Sequence, residues 1–311
     1  MQHRFLISLF LIALFLAPGC SNEHILKEVK TLDLYPSASA IEYTNGRFYI
    51  AGDDASYILI ADSSFAIVDS IALYSFSNQR ISKAVKPDIE AAAITIDQQL
   101  LLTGSGSLSP YRNIAWFINP DSKVKDSIRL DTFYNRLLVN GIKEINIEGC
   151  CFIPGSCLLA NRGSKGYPKN QLVFAHPLFW QRQSQSPVST ALLGVNSDSS
   201  LFSGVSGMDY APESDRLVLT ISTEDTRNSL DDGAIGKSYL WIIKNISSKR
   251  KWSAINPDKI IDLEKVDTRF KGQKIESVCV IKETKSFIHL ALVADNDKGS
   301  STLFRLVIHK D

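Results

Sequence analysis

Three glutamates recur at one position of a repeated segment: Glu90 in Ile89-Glu90-Ala91, Glu148 in Ile147-Glu148-Gly149 and Glu276 in Ile275-Glu276-Ser277. Serine takes the same place at Ser39 and Ser206. Carboxylates gathered in one small space repel one another, which raises their proton affinity unless a cation or a basic side chain compensates. Calcium takes about six to eight oxygen ligands. Glu90, Glu148 and Glu276 are therefore the expected metal ligands, with Ser39 and Ser206 completing the ring and Arg162 as a competing compensator. The architectural alternative has each glutamate accept backbone amides of a neighbouring repeat, since repeats preserve bracing as readily as binding.

Other residue groups offer weaker chemistry. Asp53-Asp54, Glu224-Asp225 and Asp295-Asn296-Asp297 each follow an apolar run, so Asp53 and Asp295 are candidate ligands, although Asp and Asn also serve turns through local hydrogen bonds. Residues 295–299 begin like an EF-hand loop but lack its closing glutamate. A serine hydrolase finds no support: Gly-x-Ser-x-Gly is absent, Ser206 in Gly204-Val205-Ser206-Gly207 misses that spacing, and histidines are few. Gly104-Ser105-Gly106-Ser107 is followed by no helix with a basic residue, so it reads as a turn rather than a phosphate cradle. Arg112, Arg162 and Lys165 are the loop cations available to clamp a substrate.

The elements that must position these residues are strands. Runs such as Arg47 to Ala51, Ser56 to Ala61 and Ala66 to Leu73 are separated by turn residues including Asn45-Gly46 and Asp53-Asp54. Five segments align, opening at Ser39, Ile89, Ile147, Val205 and Ile275, and each is followed by a turn and a second apolar strand. A repeat of roughly 50 to 60 residues with about four strands is a propeller blade. The expected fold is all-β: a propeller of five blades, or six if Pro177 to Leu201 conceals a degenerate one. The last repeat supplies three strands, near Ile275–Ile281, His289–Ala294 and Thr302–Ile308, so Lys27 to Leu34 is expected to close the ring as the fourth. Thr132 to Asn140 reads as a short helix between blades.

The N-terminus has a different character. His3 and Arg4 precede an apolar run from Phe5 to Phe15, too short for a membrane span, which reads as a secretory signal over residues 1–19. Ala17-Pro18-Gly19-Cys20 resembles the bacterial lipobox, departing from it at Ala17 where leucine is usual. That resemblance implies a lipid on Cys20 and, with Ser21 rather than Asp next, an outer-membrane location in the cell envelope; a tether over 20–26 then leads into the single propeller domain that the repeats set over 27–311. Cys150, Cys151, Cys157 and Cys279 all lie in apolar strand runs and read as small buried hydrophobes; pairing of Cys150 or Cys151 with Cys157 across a tight hairpin is the alternative. Lys+Arg 34 against Asp+Glu 33 leaves no basic field to draw the chain onto nucleic acid.

Lys274-Ile275-Glu276-Ser277, Asn146-Ile147-Glu148-Gly149 and Asp88-Ile89-Glu90-Ala91 resemble the phytase-like propeller families, which repeat a Glu-Gly or Glu-Ala pair at the head of each inner strand. The resemblance implies a propeller and leaves two functions open. The first, and the expected one, is an envelope propeller that binds a small molecule, glycan or protein at its channel mouth. The other is a calcium-assisted hydrolase of phosphoesters or lactones, in which the cation lowers the pKa of a bound water and Glu90, Glu148 or Glu276 acts as ligand or base.

Overall fold

The computed structural model describes residues 24–75, 80–194, 202–224, 235–295 and 299–311. Cys20 and the signal segment lie outside them, as do Asp225 and residues 296–298 of the EF-hand-like stretch. The strands alternate in side-chain direction, and nearly every inner and middle strand is apolar on both faces. Such strands demand cover on both sides, and the fold supplies it by packing sheet against sheet around a circle.

Strand β1 (His24–Leu32) is followed by blade one, β2 (Ala38–Thr44), β3 (Arg47–Gly52), β4 (Tyr57–Ala61) and β5 (Ile67–Ala72). Blade two is β6 (Ile89–Ile94), β7 (Leu100–Gly104), β8 (Ile114–Ile118) and β9 (Lys125–Arg129), after which helix α1 (Asp131–Val139) leads onward. Blade three is β10 (Ile147–Ile153), β11 (Ser156–Asn161), β12 (Gln171–Ala175) and β13 (Val188–Leu193). Blade four is β14 (Phe202–Ala211), β15 (Arg216–Glu224) and β16 (Ile235–Lys244), then, past β17 (Ala254–Ile255), β18 (Lys259–Asp262). Blade five is β19 (Lys274–Glu283), β20 (Phe287–Asp295) and β21 (Ser301–His309), with β1 as its outer strand.

The molecule is thus a five-bladed β-propeller. The ring closes as the sequence implied: β1 pairs antiparallel with β21 from His24↔Ile308 to Leu32↔Ser301, beginning three residues earlier than Lys27. No sixth blade hides in residues 177–193, which form a 3-10 turn and the outer strand of blade three. That blade instead gains β17, borrowed from blade four's connection and pairing parallel with β13. Inner strand β2 packs on β6, β6 on β10, β10 on β14, β14 on β19 and β19 on β2, completing the circle.

Each blade interface holds its own apolar cluster. Tyr49, Ile58 and Ile60 meet Leu100, Leu102 and Ile118 between blades one and two. Leu101 turns the other way, against Leu159, Val173 and the α1 residues Phe133 and Leu137. Leu158 and Phe174 meet Leu217 and Leu219; Val218 and Leu240 meet Leu290 and Phe304; Val293 and Leu303 meet Phe48 and Phe65. At roughly 2 kcal/mol per buried Leu or Phe, these five seams fix the angles between blades. The geometry of the inner strands follows from those angles.

Candidate functional site at the channel mouth

All five inner strands begin at one face and share a local irregularity. The ladder register shifts between Ala38 and Ala40, Ile89 and Ala91, Ile147 and Gly149, Val205 and Gly207, and Ile275 and Ser277. The skipped residues are Ser39, Glu90, Glu148, Ser206 and Glu276. A bulge frees one residue from the ladder and re-aims its side chain, so the recurrent position of the sequence is a structural ring at the channel mouth.

The two serines and three glutamates divide the work. The Ser39 hydroxyl donates to the Ile89 carbonyl of the next blade, and the Ser206 hydroxyl donates to the Ile275 carbonyl at 2.6 Å. Three residues further in, Glu42 accepts from the backbone N–H groups of Tyr43 and Ile94, while the Asp209 carboxylate accepts from Val280 N–H at 2.6 Å. In blades one and four a hydroxyl and a carboxylate therefore clamp the neighbouring inner strand. At Glu148 and Glu276 this clamp gives way to ion pairing. Glu276 Oε1 lies 2.9 Å from Lys274 Nζ. Glu148 Oε1 accepts from Asn146 Nδ2 at 2.6 Å and its Oε2 lies 4.0 Å from Arg162 Nη1.

Glu90 belongs to a denser group. Asp53, Asp88 and Glu90 present carboxylate oxygens within 4.8 Å of one another. Lys86 pairs with Asp53 and, at 2.8 Å, with Asp88 Oδ1. Asp88 Oδ2 also accepts from Arg112 Nη1 at 2.6 Å and the Ser105 hydroxyl at 2.5 Å. Burial, then the charges of Glu148, Asp88 and Asp53, push Glu90 well above the usual carboxylate range against the pull of Lys86. Burial likewise raises Asp53 to about 6, opposed by Lys86 and reinforced by Asp54 and Asp88. Burial works to lower the Lys86 ammonium, but Asp53 and Asp88 outweigh it and hold it above its ordinary value. Asp53 Oδ1 is buried without a hydrogen-bond partner.

A second tier stands where each second strand ends. Asp53, Ser105 and Arg162 donate backbone N–H bonds to Ser37, Asp88 and Asn146 at 3.0, 2.8 and 2.8 Å, and Asp295 takes the matching place in blade five, beyond the Ile275↔Ala294 pair. Asp295 is buried, and its charge reaches Arg80, which pairs with Asp54 at 2.6 Å. Arg162 lies across Gly204 of blade four, where a Cβ would stand 2.4 Å from its Nε.

Every mouth residue expected from sequence is thus at one face: Glu90, Glu148, Glu276, Ser39, Ser206, Arg162, Asp53 and Asp295. The expectation that the serines line the mouth beside the glutamates is refined, because both hydroxyls are spent on neighbouring carbonyls. A calcium trio of Glu90, Glu148 and Glu276 gives way to a tighter trio of Asp53, Asp88 and Glu90, the one three-carboxylate group of that closeness among the described residues. Asp88, Lys86 and Lys274 were missed as site residues, although Asp88 and Lys274 stand two residues before a recurrent glutamate, where Asn146 stands in blade three. Ser105 and Ser107 turn their hydroxyls to Asp88, so the Gly-Ser stretch is a turn. His176 sits in the turn after β12, and His24, His289 and His309 lie toward the opposite face, leaving Ser39 and Ser206 without a histidine base among the described residues. Oxygen donors of the Asp53–Asp88–Glu90 kind suit a hard cation, but Lys86 already supplies positive charge there.

Residues 34–308 match the model of a family of unknown function, DUF6929. No curated protein resembles the chain significantly in sequence. Among solved structures, glutaminyl cyclase from Myxococcus xanthus superposes with a TM-score of 0.53 at 10% identity, over 93% of this chain and 97% of that one. Virginiamycin B lyase from Staphylococcus aureus gives 0.41 at 9% identity, over 90% and 99%. A DUF4623 family protein from Bacteroides eggerthii gives 0.42 at 7% identity, over 92% and 77%. At such identity the first likeness speaks for the propeller fold, and neither the family nor these neighbours bears a phytase name.

Proposed function

Because the chain belongs to the DUF6929 family, whose function is unknown, we propose its role from the mouth itself: a propeller that binds a small polar ligand bearing a positive charge. The observation that carries this reading is the placement of Glu90, Glu148 and Glu276 at matching bulges, with Asp53 and Asp88 beside Glu90. Burial and the charges of the neighbouring carboxylates push Glu90 well above the usual carboxylate range. An arriving cation relieves that repulsion and is favoured over water. Lys86 is the internal counter-ion such a ligand displaces. The proposal places the protein on the cell envelope, exported by its signal segment and held to the outer membrane through lipid on Cys20.

The test is a thermal melt of residues 21–311 with three cationic probes: calcium, a polyamine, and a peptide with an N-terminal glutamine, chosen because one structural neighbour is a glutaminyl cyclase. A ligand in about hundredfold excess over Kd stabilises the folded state by about 2.7 kcal/mol. The expected result is an upward shift with at least one probe that disappears when Glu90, Glu148 and Glu276 are all changed to Gln. A shift that survives the triple change, or none with any probe, overturns the reading.

The closeness of Asp53, Asp88 and Glu90 supports a second reading, metal-assisted hydrolysis of phosphoesters or lactones. These three residues would hold a calcium ion, which supplies Lewis-acid polarisation when bound. Here too the arriving cation must displace Lys86 from Asp53 and Asp88. Calcium-dependent turnover of a nitrophenyl phosphate or a lactone, lost in Asp88→Asn, would favour this reading over simple binding.

A further inference from the structure

Cys150 and Cys157 face each other across the β10–β11 hairpin, both buried, with their sulfurs 3.6 Å apart. Strand alternation sorts the described thiols. Cys150 and Cys157 belong to the cluster between blades two and three, Cys151 to the next seam and Cys279 to the seam between blades five and one. Leu159 lies opposite Cys150 and Phe152 opposite Cys157, so the two thiols are diagonal neighbours on one sheet face. Their sulfurs touch without bonding, since a disulfide needs about 2.05 Å.

We propose that Cys150 and Cys157 form a redox pair, a dithiol in this structure that closes to a disulfide within the hairpin when a low-molecular-weight disulfide acts on it. One thiol, as its thiolate, attacks the oxidant's S–S bond, forming a mixed disulfide and expelling one small thiolate. The second protein thiolate attacks the mixed disulfide, forms the Cys150–Cys157 bond and expels the other small thiolate. The protein gives up two protons and two electrons, and the oxidant's sulfurs take both electrons. Burial raises the Cys157 thiol well above its ordinary value, which opposes attack in the closed fold. Exchange therefore proceeds while the hairpin is open, during folding or transient unfolding. The bond would pin the hairpin whose upper end carries Glu148 and Arg162, so oxidation would set how firmly that part of the mouth is held.

Trypsin isolates all three thiols of blade three in one peptide, Glu144 to Arg162, because no Lys or Arg falls between Lys143 and Arg162. The full chain is refolded in oxidised and reduced glutathione at several ratios, alkylated with N-ethylmaleimide and digested. Under oxidising ratios the peptide should carry one label, on Cys151, and weigh two hydrogens less than its reduced form allows for. Cys150→Ser and Cys157→Ser should each restore full labelling of the remaining thiols. Three labels at every ratio, or a bond that includes Cys151, would overturn the proposal.

Discussion

Arg162 reaches Glu148 only because Gly204 has no side chain. A Cβ there would stand 2.4 Å from Arg162 Nε and 3.0 Å from its Cγ, a separation that forces the guanidinium aside. Arginine is long and jointed, so Gly204→Ala should cost only about 1 kcal/mol in urea denaturation. The mouth should respond differently. With Arg162 moved away, Glu148 loses the positive charge 4.0 Å from its Oε2, so the cation-induced melting shift is expected to grow relative to the parent chain. A smaller shift would mean that Arg162 helps to hold the ligand rather than to neutralise its site. The glutamates could be read from sequence because they recur at one place in the repeat. Lys86 could not, since it comes from a loop with no counterpart in the other blades and meets Asp53 and Asp88 only through the fold. Asp88 and Lys274 stood beside recurrent glutamates, yet their varied residue types, with Asn146 in the third case, concealed a shared position.

At the scale of the strand, the same bulge serves two purposes, and the residue three places on reveals which. Where serine occupies the bulge, an acid follows at Glu42 or Asp209; where glutamate does, the residue is Ala93, Cys151 or Cys279. Strand existence was legible because apolar runs and turn residues mark it, but the bulges were not, since a skipped residue leaves no mark in hydropathy. Asp209 tests the clamp. Burial raises its carboxyl to about 7, against the pull of the Val280 and Tyr210 N–H groups. A carboxyl raised in the folded state holds its proton longer there than in the unfolded chain, so its contribution falls as pH rises from about 4, the unfolded value, toward 7. Asp209→Asn mimics the protonated form and keeps one acceptor. Melting curves should place the variant within about 1 kcal/mol of the parent near pH 4.5, with the variant gaining on the parent by pH 8. Parallel pH profiles for the two proteins would show that Asp209 titrates normally.

The ring depends on its join. Blade five would expose β21 as an open edge without β1, and unpaired edges invite association with other chains. β1 is lightly built: Leu26 and Leu32 are buried and Val29 is partly so, and Arg305 of β21 pairs with Glu28 at 3.0 Å. Three apolar side chains at roughly 1.5 to 3 kcal/mol each put the strand's contribution at about 5 kcal/mol. A serine also ties the last blade to the first, where Ala38 N–H donates to Ser301 Oγ at 3.0 Å and that hydroxyl donates to the Tyr35 carbonyl at 2.7 Å. This closure was legible because the final repeat was visibly one strand short, whereas β17 was not, two residues being too few to carry a pattern. A chain beginning at Asp33 should lose about that 5 kcal/mol in urea denaturation, or self-associate through the bared edge. Adding a peptide of residues 24–32 should restore the midpoint by refilling the same ladder. If the shortened chain unfolds at the parent midpoint and stays monomeric, the five seams and the serine tie hold the circle without the strand.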